Sequence, residues 1–447
     1  MLYKFHTNIL IVVFLTIGFM AVKVNDKAFS MMTLGAVVCF VTQLSLLIYF
    51  SREKEVIYST KTLFWVVLFY NICMGVFLMG ISYYYDGDTF MFSKSDAMWY
   101  YEHSMRFADL GPEKGIKYIT RIAAYDDWGA LILDGFLMYM IPSKFVLNVV
   151  YMLLGACSSV FLFKIGRNYM PDAYAFLAVI GYSTSSFMLF FNCTFLKEPA
   201  FVFFVICAVY FQYLFITNNS RFSLLGVFFC VVIMLFFRPA VAAMLVVSIF
   251  IYYGIVLKKR AISIFIYAAA IIIFAVALKS LQEIVERNTL GGDIDAVVAD
   301  SNNAAYSSSF NYFMSFFAAF LGPFPALFNP SEGKPTTMVF LGAGLSYRLF
   351  LMFPFWYGVF IAFKDKVIEL LPMFVFIFLE MLATGYVCAS LELRKVILHV
   401  PFMYIISFYG LSRWCRPTQV IRLSTYLNFT FAVLVLFLWN VIRVKNV

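Results

Sequence analysis

Long apolar blocks separated by short polar breaks dominate the chain. Each block is continuous and about 17 to 25 residues long, which is the length that spans a bilayer as a helix. An outer-membrane barrel needs shorter segments in which apolar and polar residues alternate. The pattern therefore predicts an all-α fold, a polytopic transmembrane helical bundle of about thirteen spans, roughly 11 to 14. The predicted spans are 8–24, 29–50, 62–85, 143–163, 173–192, 198–217, 222–238, 239–257, 261–279, 338–363, 367–389, 395–412 and 419–441.

Two long polar insertions interrupt this pattern, at residues 86–128 and 280–337. Both are predicted to be extracytoplasmic loops that contain amphipathic helices. The segment from Gly129 to Ile141 is apolar but too short to cross a bilayer, so it predicts an interfacial or re-entrant helix. Residues 1–447 are predicted to form a single integral membrane domain. The N-terminus resembles a signal sequence, and we expect it to remain as the first helix.

Composition supports the membrane assignment. Hydrophobic residues make up 63% of the chain and charged residues only 13%, which is too little polar surface for a water-soluble globule of 447 residues. The net charge of +9 suits anionic lipid headgroups at a cytoplasmic face, and nothing in it indicates nucleic acid. The eight cysteines are scattered without metal-ligand spacing, so they are interpreted as small core residues.

Lysines and arginines in the short loops predict the topology, because such loops are cytoplasmic when they are basic. Five connections are basic and can all be cytoplasmic if the spans alternate: 52–61, 164–167, 258–260, 364–366 and 413–422. Both long insertions are then outside, together with three short polar breaks. These breaks are Lys197–Glu198, Arg238–Pro239 and Glu392–Lys395. The basic tail after residue 441 is also placed outside, against the rule.

The first insertion contains a candidate catalytic helix. Ser93 or Ser95 is a possible cap, and the pair Gly111–Pro112 is a stop signal. Helical spacing then places Asp96, Tyr100, His103 and Phe107 on one stripe. In chemical terms, Asp96 can act as a general base toward a sugar hydroxyl, with His103 orienting it or relaying the proton. Two plainer interpretations stay open. The helix can simply lie on the membrane surface, and His103 can be an ordinary surface histidine.

Cationic residues at the three polar breaks predict a phosphate-binding ring. Arg238 interrupts an apolar run from Phe222 to Val256, and a guanidinium inside hydrocarbon needs an anion or a polar cavity. Lys197, Arg394 and Lys395 complete the ring, in which arginine can grip phosphate with two hydrogen bonds and lysine adds a point charge.

Each member of this ring also has a structural alternative. Lys197 and Glu198 can belong to an ordinary loop in which Pro199 starts the next helix. Arg238 can form a salt bridge to Glu198 or to Glu380, an acid midway along its own apolar helix. The 392–395 segment can merely cap helix ends.

The remaining charged groups carry weaker expectations. Arg287 and Lys334 of the second insertion, and Arg348 in the span that follows it, can reach a glycan or a phosphate, and Arg348 is included among the candidate binding residues. Asp86 and Asp88 can bind a divalent cation, but paired carboxylates on a turn are usually only solvated. No metal and no cofactor is therefore expected.

Taken together, these motifs resemble polytopic bacterial proteins of envelope-polysaccharide assembly. The features are the Asp-x-x-x-Tyr helix at Asp96, the Lys197–Glu198 pair, the Arg238–Pro239 pair and the Arg394–Lys395 run before a proline-containing helix. The similar families are the oligosaccharide repeat-unit polymerases (Wzy-type) and the family-C (GT-C) glycosyltransferases. Two helices precede the span that leads to the Asp96 loop, whereas GT-C enzymes usually place this loop directly after their first span, and this favours a polymerase.

The resemblance implies roles for the candidate residues. Asp96 is expected to be the catalytic base with His103 nearby. The residues expected to hold substrate and its diphosphate are Tyr100, Lys197, Glu198, Arg238, Arg348, Arg394 and Lys395. The substrate is expected to be a glycan on a polyprenyl carrier, because the sequence contains no Rossmann fingerprint for a nucleotide sugar.

The sequence thus predicts a glycosyltransferase of the bacterial cytoplasmic membrane that joins undecaprenyl-diphosphate-linked repeat units at the extracytoplasmic face. Other expected partners are membrane lipid and a chain-length regulator or another polysaccharide-assembly protein. The first alternative is a GT-C enzyme that uses a polyprenyl-phosphate monosaccharide. The second, of another class, is a lipid-linked oligosaccharide flippase or transporter. An acyltransferase with His399 as its catalytic histidine is a third.

Overall fold

The computed structural model describes residues 27–52, 58–90, 96–218, 220–256, 351, 353–387, 397–414 and 416–419, with single helical positions at 264, 268 and 271. Within these ranges the chain is helical and contains no strand, which agrees with the predicted all-α fold. The predicted spans 8–24, 261–279 and 419–441, and the insertion 280–337, lie almost wholly outside the described residues.

The first half of the chain forms helices on both sides of the 86–128 insertion. They are α1 (Lys27–Arg52), α2 (Thr60–Asp86), α3 (Asp96–Leu110), α4 (Pro112–Ile122), a 3₁₀ turn (Tyr125–Asp127), α5 (Trp128–Met140) and α6 (Lys144–Gly166). The second half continues with α7 (Asp172–Ser183), α8 (Ser186–Cys193), α9 (Glu198–Asn218), α10 (Arg221–Phe237), α11 (Pro239–Val256), α12 (353–364), α13 (Leu371–Val387) and α14 (Val400–Ser412).

Several helices are suited to a bilayer. In the described part of the chain, α2, α6, α9 and α11 are long and apolar enough to cross a membrane, and the bent pair α7–α8 makes a fifth if it is one span. Helix α5 has 13 residues and is not among them, in keeping with the predicted interfacial or re-entrant helix. The chain is therefore a helical membrane protein, while the predicted number of thirteen spans goes beyond what these helices establish.

One predicted span, 173–192, is not a continuous helix. Helices α7 and α8 meet at an angle of 56°. Four consecutive hydroxyl residues, Ser183 to Ser186, occupy the junction. Thr184 donates to the carbonyl oxygen four residues earlier at 2.6 Å, and Ser185 donates to the Tyr182 carbonyl at 2.7 Å and caps α8. The two carbonyl oxygens thus accept from side-chain hydroxyls as well as from backbone N–H groups, and this local bonding favours a break within the apolar run.

The first insertion folds into a packed helical layer. Helix α3 lies against α5 and α4, and its buried residues are Ala97, Tyr100, Ser104 and Phe107. The Phe107 ring is enclosed between Gly115 of α4 and Gly135 of α5, where a Cβ atom would collide with the ring. One face of α3 is therefore covered by protein.

The turn between α3 and α4 matches the predicted stop signal. Gly111 has a φ of 75°, in the region that favours glycine, and Pro112 is the first residue of α4, where its missing N–H leaves no bond unmade. This turn reverses the chain so that α4 packs beside α3.

Three connections between helices meet at one end of the bundle: the 3₁₀ turn, the junction of α10 with α11, and the corner between α8 and α9. The 3₁₀ turn contacts the end of α10, where the Tyr125 and Phe236 rings are 5.7 Å apart. Gly129, at the start of α5, packs against Phe237. The corner between α8 and α9 reaches the same turn through Lys197. The candidate site therefore lies where the insertion covers the ends of α8, α9, α10 and α11.

Candidate functional site

The corner between α8 and α9 buries two charged side chains. Helix α8 ends at Cys193, and Thr194 closes it by donating to the Phe190 carbonyl at 2.9 Å. Helix α9 starts at Glu198, so Lys197 and Glu198 occupy the tight connection, and both are buried. A buried charge requires a partner, because its transfer from water is costly.

Lys197 finds its partner in the first insertion. Its ammonium group forms an ion pair with the Asp127 carboxylate and donates to the Asp126 carbonyl oxygen at 3.2 Å. The Tyr100 hydroxyl donates to the same Asp127 oxygen. Burial, and after it the Asp127 charge, raise the pKa of the Tyr100 phenol well above its usual 10. Tyr100 therefore stays protonated and remains a donor to Asp127.

Arg238 separates α10 from α11. Its backbone is extended, with φ −159° and ψ 94°, because Pro239 opens a new helix directly after it. The guanidinium lies over the Phe201 ring with 5.3 Å between its carbon and the ring centroid, a cation–π contact. Phe201 is one helical turn after Lys197, and its N–H donates to the Lys197 carbonyl at 3.3 Å. The arginine thus lies beside the α8–α9 corner.

Two polar atoms near this corner lack hydrogen-bond partners among the described residues. They are Arg238 Nε and Glu198 Oε2, and both are buried. No ion pair joins Arg238 to Glu198 or to Glu380 in the described part of the chain. Glu380 instead bonds to His399, and both residues are buried. The predicted structural salt bridge of Arg238 is therefore wrong for these two acids.

Asp96 and His103 point to different neighbours. Asp96 opens α3 one helical turn before Tyr100, and its charge is among those that raise the pKa of that phenol. His103 instead shares a hydrogen bond between its Nδ1 and the Tyr118 hydroxyl of α4, at 2.7 Å. Burial lowers the pKa of His103. The histidine therefore bridges α3 to α4 rather than joining Asp96 in a shared contact.

Sequence reasoning missed Asp127 as a member of the site. The pair Asp126–Asp127 sits in a polar stretch between two helices, where carboxylates are usually solvated. The buried pair of Asp134 and Tyr151, whose hydroxyl donates to that carboxylate, was missed as well. Asp134 lies within the apolar segment 129–141, and an acid in such a segment was the available signal.

Several predicted site residues lie outside the described ranges. These are Arg348, Arg394 and Lys395 of the binding set, and Arg287, Lys334 and Glu392. At the predicted cation position, Asp88 accepts from the Phe90 N–H at 2.8 Å, as in a local turn. The described ranges hold no group of three or more residues able to ligate a metal ion.

Of the predicted set, Tyr100 and Lys197 bind Asp127, Glu198 follows Lys197 in the chain, and Arg238 lies over the Phe201 ring one turn after Lys197. Such an arrangement offers a cationic group for an anion, carboxylates for hydroxyl groups, and an interface between the bundle and a loop layer. Comparisons with protein-family models, with curated proteins and with solved structures found no match to this chain. The resemblance to polysaccharide polymerases accordingly stays a prediction.

Proposed function

We propose that this chain is a membrane glycosyltransferase that joins glycan repeat units carried on undecaprenyl diphosphate. The reaction is placed at the outer face of the bacterial cytoplasmic membrane, for assembly of O-antigen, capsule or exopolysaccharide. The observation that carries the proposal is Arg238, a half-buried cation with an unpartnered Nε that lies over the Phe201 ring between two apolar helices. Arginine there fits a phosphate group at the headgroup level of a membrane.

Arg238 and Lys197 have unequal parts in this proposal. Lys197 is already neutralised by Asp127, so it fixes the insertion against α9 and is not a free charge. Arg238 is held only from one side, by the Phe201 ring, and its guanidinium has no carboxylate partner in the described part of the chain. The diphosphate of the donor is therefore assigned to Arg238, which stabilises the charge that grows on the leaving group.

Proton transfer is assigned to Asp96. Asp127 already accepts hydrogen bonds from Lys197 and Tyr100, which ties it to a structural role. Asp96 lies one helical turn before Tyr100, at the first position of α3. The acceptor hydroxyl oxygen bonds to the anomeric carbon of the donor, the bond from that carbon to the diphosphate oxygen breaks, and Asp96 takes the hydroxyl proton. Attack opposite the leaving group inverts the anomeric configuration.

Glu198 is assigned to sugar binding. Its unpartnered oxygen is buried and can accept a hydrogen bond from a sugar hydroxyl, which would remove the penalty of an unsatisfied acceptor. A GT-C transferase acting from a polyprenyl-phosphate monosaccharide would use the same groups. The two enzymes differ in their products, because the GT-C transferase adds a single sugar whereas the polymerase adds a whole repeat unit.

One observation favours the transporter alternative. The break between α7 and α8 lies inside an apolar span, and interrupted helices of this kind are common in transporters. A flippase would move the lipid-linked unit without breaking a bond, so cells without it would retain single units on the inner leaflet.

The test compares lipid-linked glycans from cells that carry the wild-type chain, Arg238→Ala, Arg238→Lys or no copy. Arg167→Ala is the control, because Arg167 forms an exposed pair with Asp172 far from the site. We expect Arg238→Ala to reach the membrane yet accumulate single repeat units on the outer leaflet, with Arg238→Lys intermediate.

Other outcomes would assign the protein to a different functional class. Inner-leaflet accumulation would identify a flippase, and a unit that lacks one sugar would identify a monosaccharide transferase. Normal chain length in Arg238→Ala would remove the arginine from the mechanism.

A further inference from the structure

A small cavity lies inside the bundle, directly below the site. It is enclosed by α6, by the broken pair α7–α8 and by the first turn of α9, where Pro199 lines it. The space open to the centre of a water molecule is about 10 Å³. This is about the minimum that one water molecule needs.

Two buried side chains line this cavity with unpartnered polar atoms. The Tyr182 hydroxyl and the Asn192 amide oxygen have no hydrogen-bond partner among the described residues. Their residues are 1% and 2% exposed. A buried polar atom without a partner destabilises the folded state, and no bulk water is at hand inside an apolar bundle.

The helix break itself does not account for these two groups, because its backbone is already satisfied. The carbonyl oxygens of Gly181, Tyr182 and Thr184 accept from Gln43 at 2.6 Å, from Ser185 at 2.7 Å and from Tyr70 at 2.7 Å. Two groups remain without partners: the Tyr182 hydroxyl needs an acceptor, and the Asn192 amide oxygen needs a donor.

We propose that an ordered water molecule occupies this cavity and bridges Tyr182 to Asn192. A water molecule accepts from the phenol and donates to the amide oxygen at once, which satisfies both groups. The Ser158 hydroxyl, which also lines the cavity and donates to the Leu154 carbonyl at 2.8 Å, is a further acceptor for it. A metal cation fits less well, since no carboxylate lines the cavity to balance its charge.

The water molecule has a structural role at the corner. Asn192 lies in the last turn of α8 and Tyr182 near the end of α7, so the bridge joins the two halves of the broken span. Pro199 closes the cavity immediately after Lys197 and Glu198. The water molecule therefore supports the connection that carries both charged residues. This inference does not depend on the proposed glycosyl transfer.

Hydroxyl-radical footprinting by X-ray radiolysis tests the proposal on the full chain in nanodiscs, because radicals form from bound water next to the side chain they oxidise. Met188 lines the cavity and is 3% exposed, while Met152 is fully buried and does not line it. We expect several-fold faster oxidation of Met188 than of Met152. Equal rates would overturn the proposal.

Two variants locate the water molecule. In Gly155→Ala the new Cβ would lie 2.7 Å from the Asn192 amide nitrogen and push that side chain into the cavity. We expect Met188 oxidation to fall to the rate of Met152. The control is Gly80→Ala, where a Cβ meets no atom within 4 Å, and there the rate should not change.

Tyr182→Phe provides a second route, because it removes one partner of the water molecule and keeps the shape of the ring. We expect slower Met188 oxidation in this variant also. Undiminished oxidation in both variants would place the water elsewhere and contradict the bridge. A Met188 rate that falls when sodium replaces a bulky organic cation would show that a metal ion is the occupant, and would overturn the assignment to water.

Discussion

The ion pair between Lys197 and Asp127 joins the first insertion to the α8–α9 corner, and its removal is the perturbation with the clearest expected size. The Lys197 side chain is 9% exposed and that of Asp127 is 22% exposed. Removing one partner of a buried pair costs about 3 to 5 kcal/mol. Because Asp127 keeps some contact with solvent, we expect the lower end, about 3 kcal/mol for Lys197→Met.

A double-mutant cycle separates the pair from its surroundings. Asp127→Asn alone removes the negative charge that neutralises the Lys197 ammonium and leaves it with neutral acceptors such as the Asp126 carbonyl at 3.2 Å, so we again expect a loss of about 3 kcal/mol. The double variant contains no unpaired buried charge. Its loss should therefore be smaller than the sum of the two single losses by about 2 kcal/mol.

The assay is the free energy of unfolding by a denaturing detergent in mixed micelles. The control cycle uses Lys117 and Glu113, an exposed pair at 2.8 Å in which 66% and 84% of the side chains are accessible. There we expect coupling of only about 0.3 to 0.5 kcal/mol. Coupling below about 0.5 kcal/mol at Lys197 and Asp127 would refute the claim that this pair holds the insertion on the bundle.

Two further variants test the packing and the electrostatics around the site. Gly129→Ala places a Cβ 2.9 Å from the Phe236 carbonyl, so we expect lower stability and less polymer, whereas Gly80→Ala should change neither. Burial raises the pKa of Asp134 from 3.8 to about 7, so the folded state holds this proton and loses stability as the pH rises between these values. Asp134→Asn keeps an acceptor for Tyr151 but does not titrate. The difference in free energy of unfolding between this variant and the wild-type chain should therefore shift in favour of the variant from about pH 4 to about pH 8, and a difference that does not change with pH would contradict this.

The ends of the helices were largely predictable because local chemistry sets them. Gly111–Pro112 ends α3, and Pro239 opens α11, because both positions use backbone angles and missing donors that glycine and proline supply. The break at Ser183 to Ser186 was missed, although its hydroxyl residues are visible in sequence. The apolar run around them gave the stronger signal, and side-chain bonding to the backbone decided the outcome.

The site was predictable only in part. Loop charges and alternating spans placed Lys197 and Arg238 at one end of the bundle, and the structure brings them together around Phe201. Asp127 could not be chosen from the sequence, because its partner is 70 residues away and only the packing of the insertion brings the two together. His103 was assigned to the wrong neighbour for the same reason, since Tyr118 reaches it only after the chain turns.

The most direct test of the central claim uses the purified protein and isolated lipid-linked repeat units in nanodiscs. The account predicts that the wild-type chain forms dimers of the repeat unit and releases one undecaprenyl diphosphate for each bond made. Arg238→Ala should bind the lipid-linked unit at least about tenfold more weakly, since one charge-assisted contact to phosphate contributes about 1.5 to 3 kcal/mol. Equal binding and equal product from Arg238→Ala, or no product from the wild-type chain, would contradict the account.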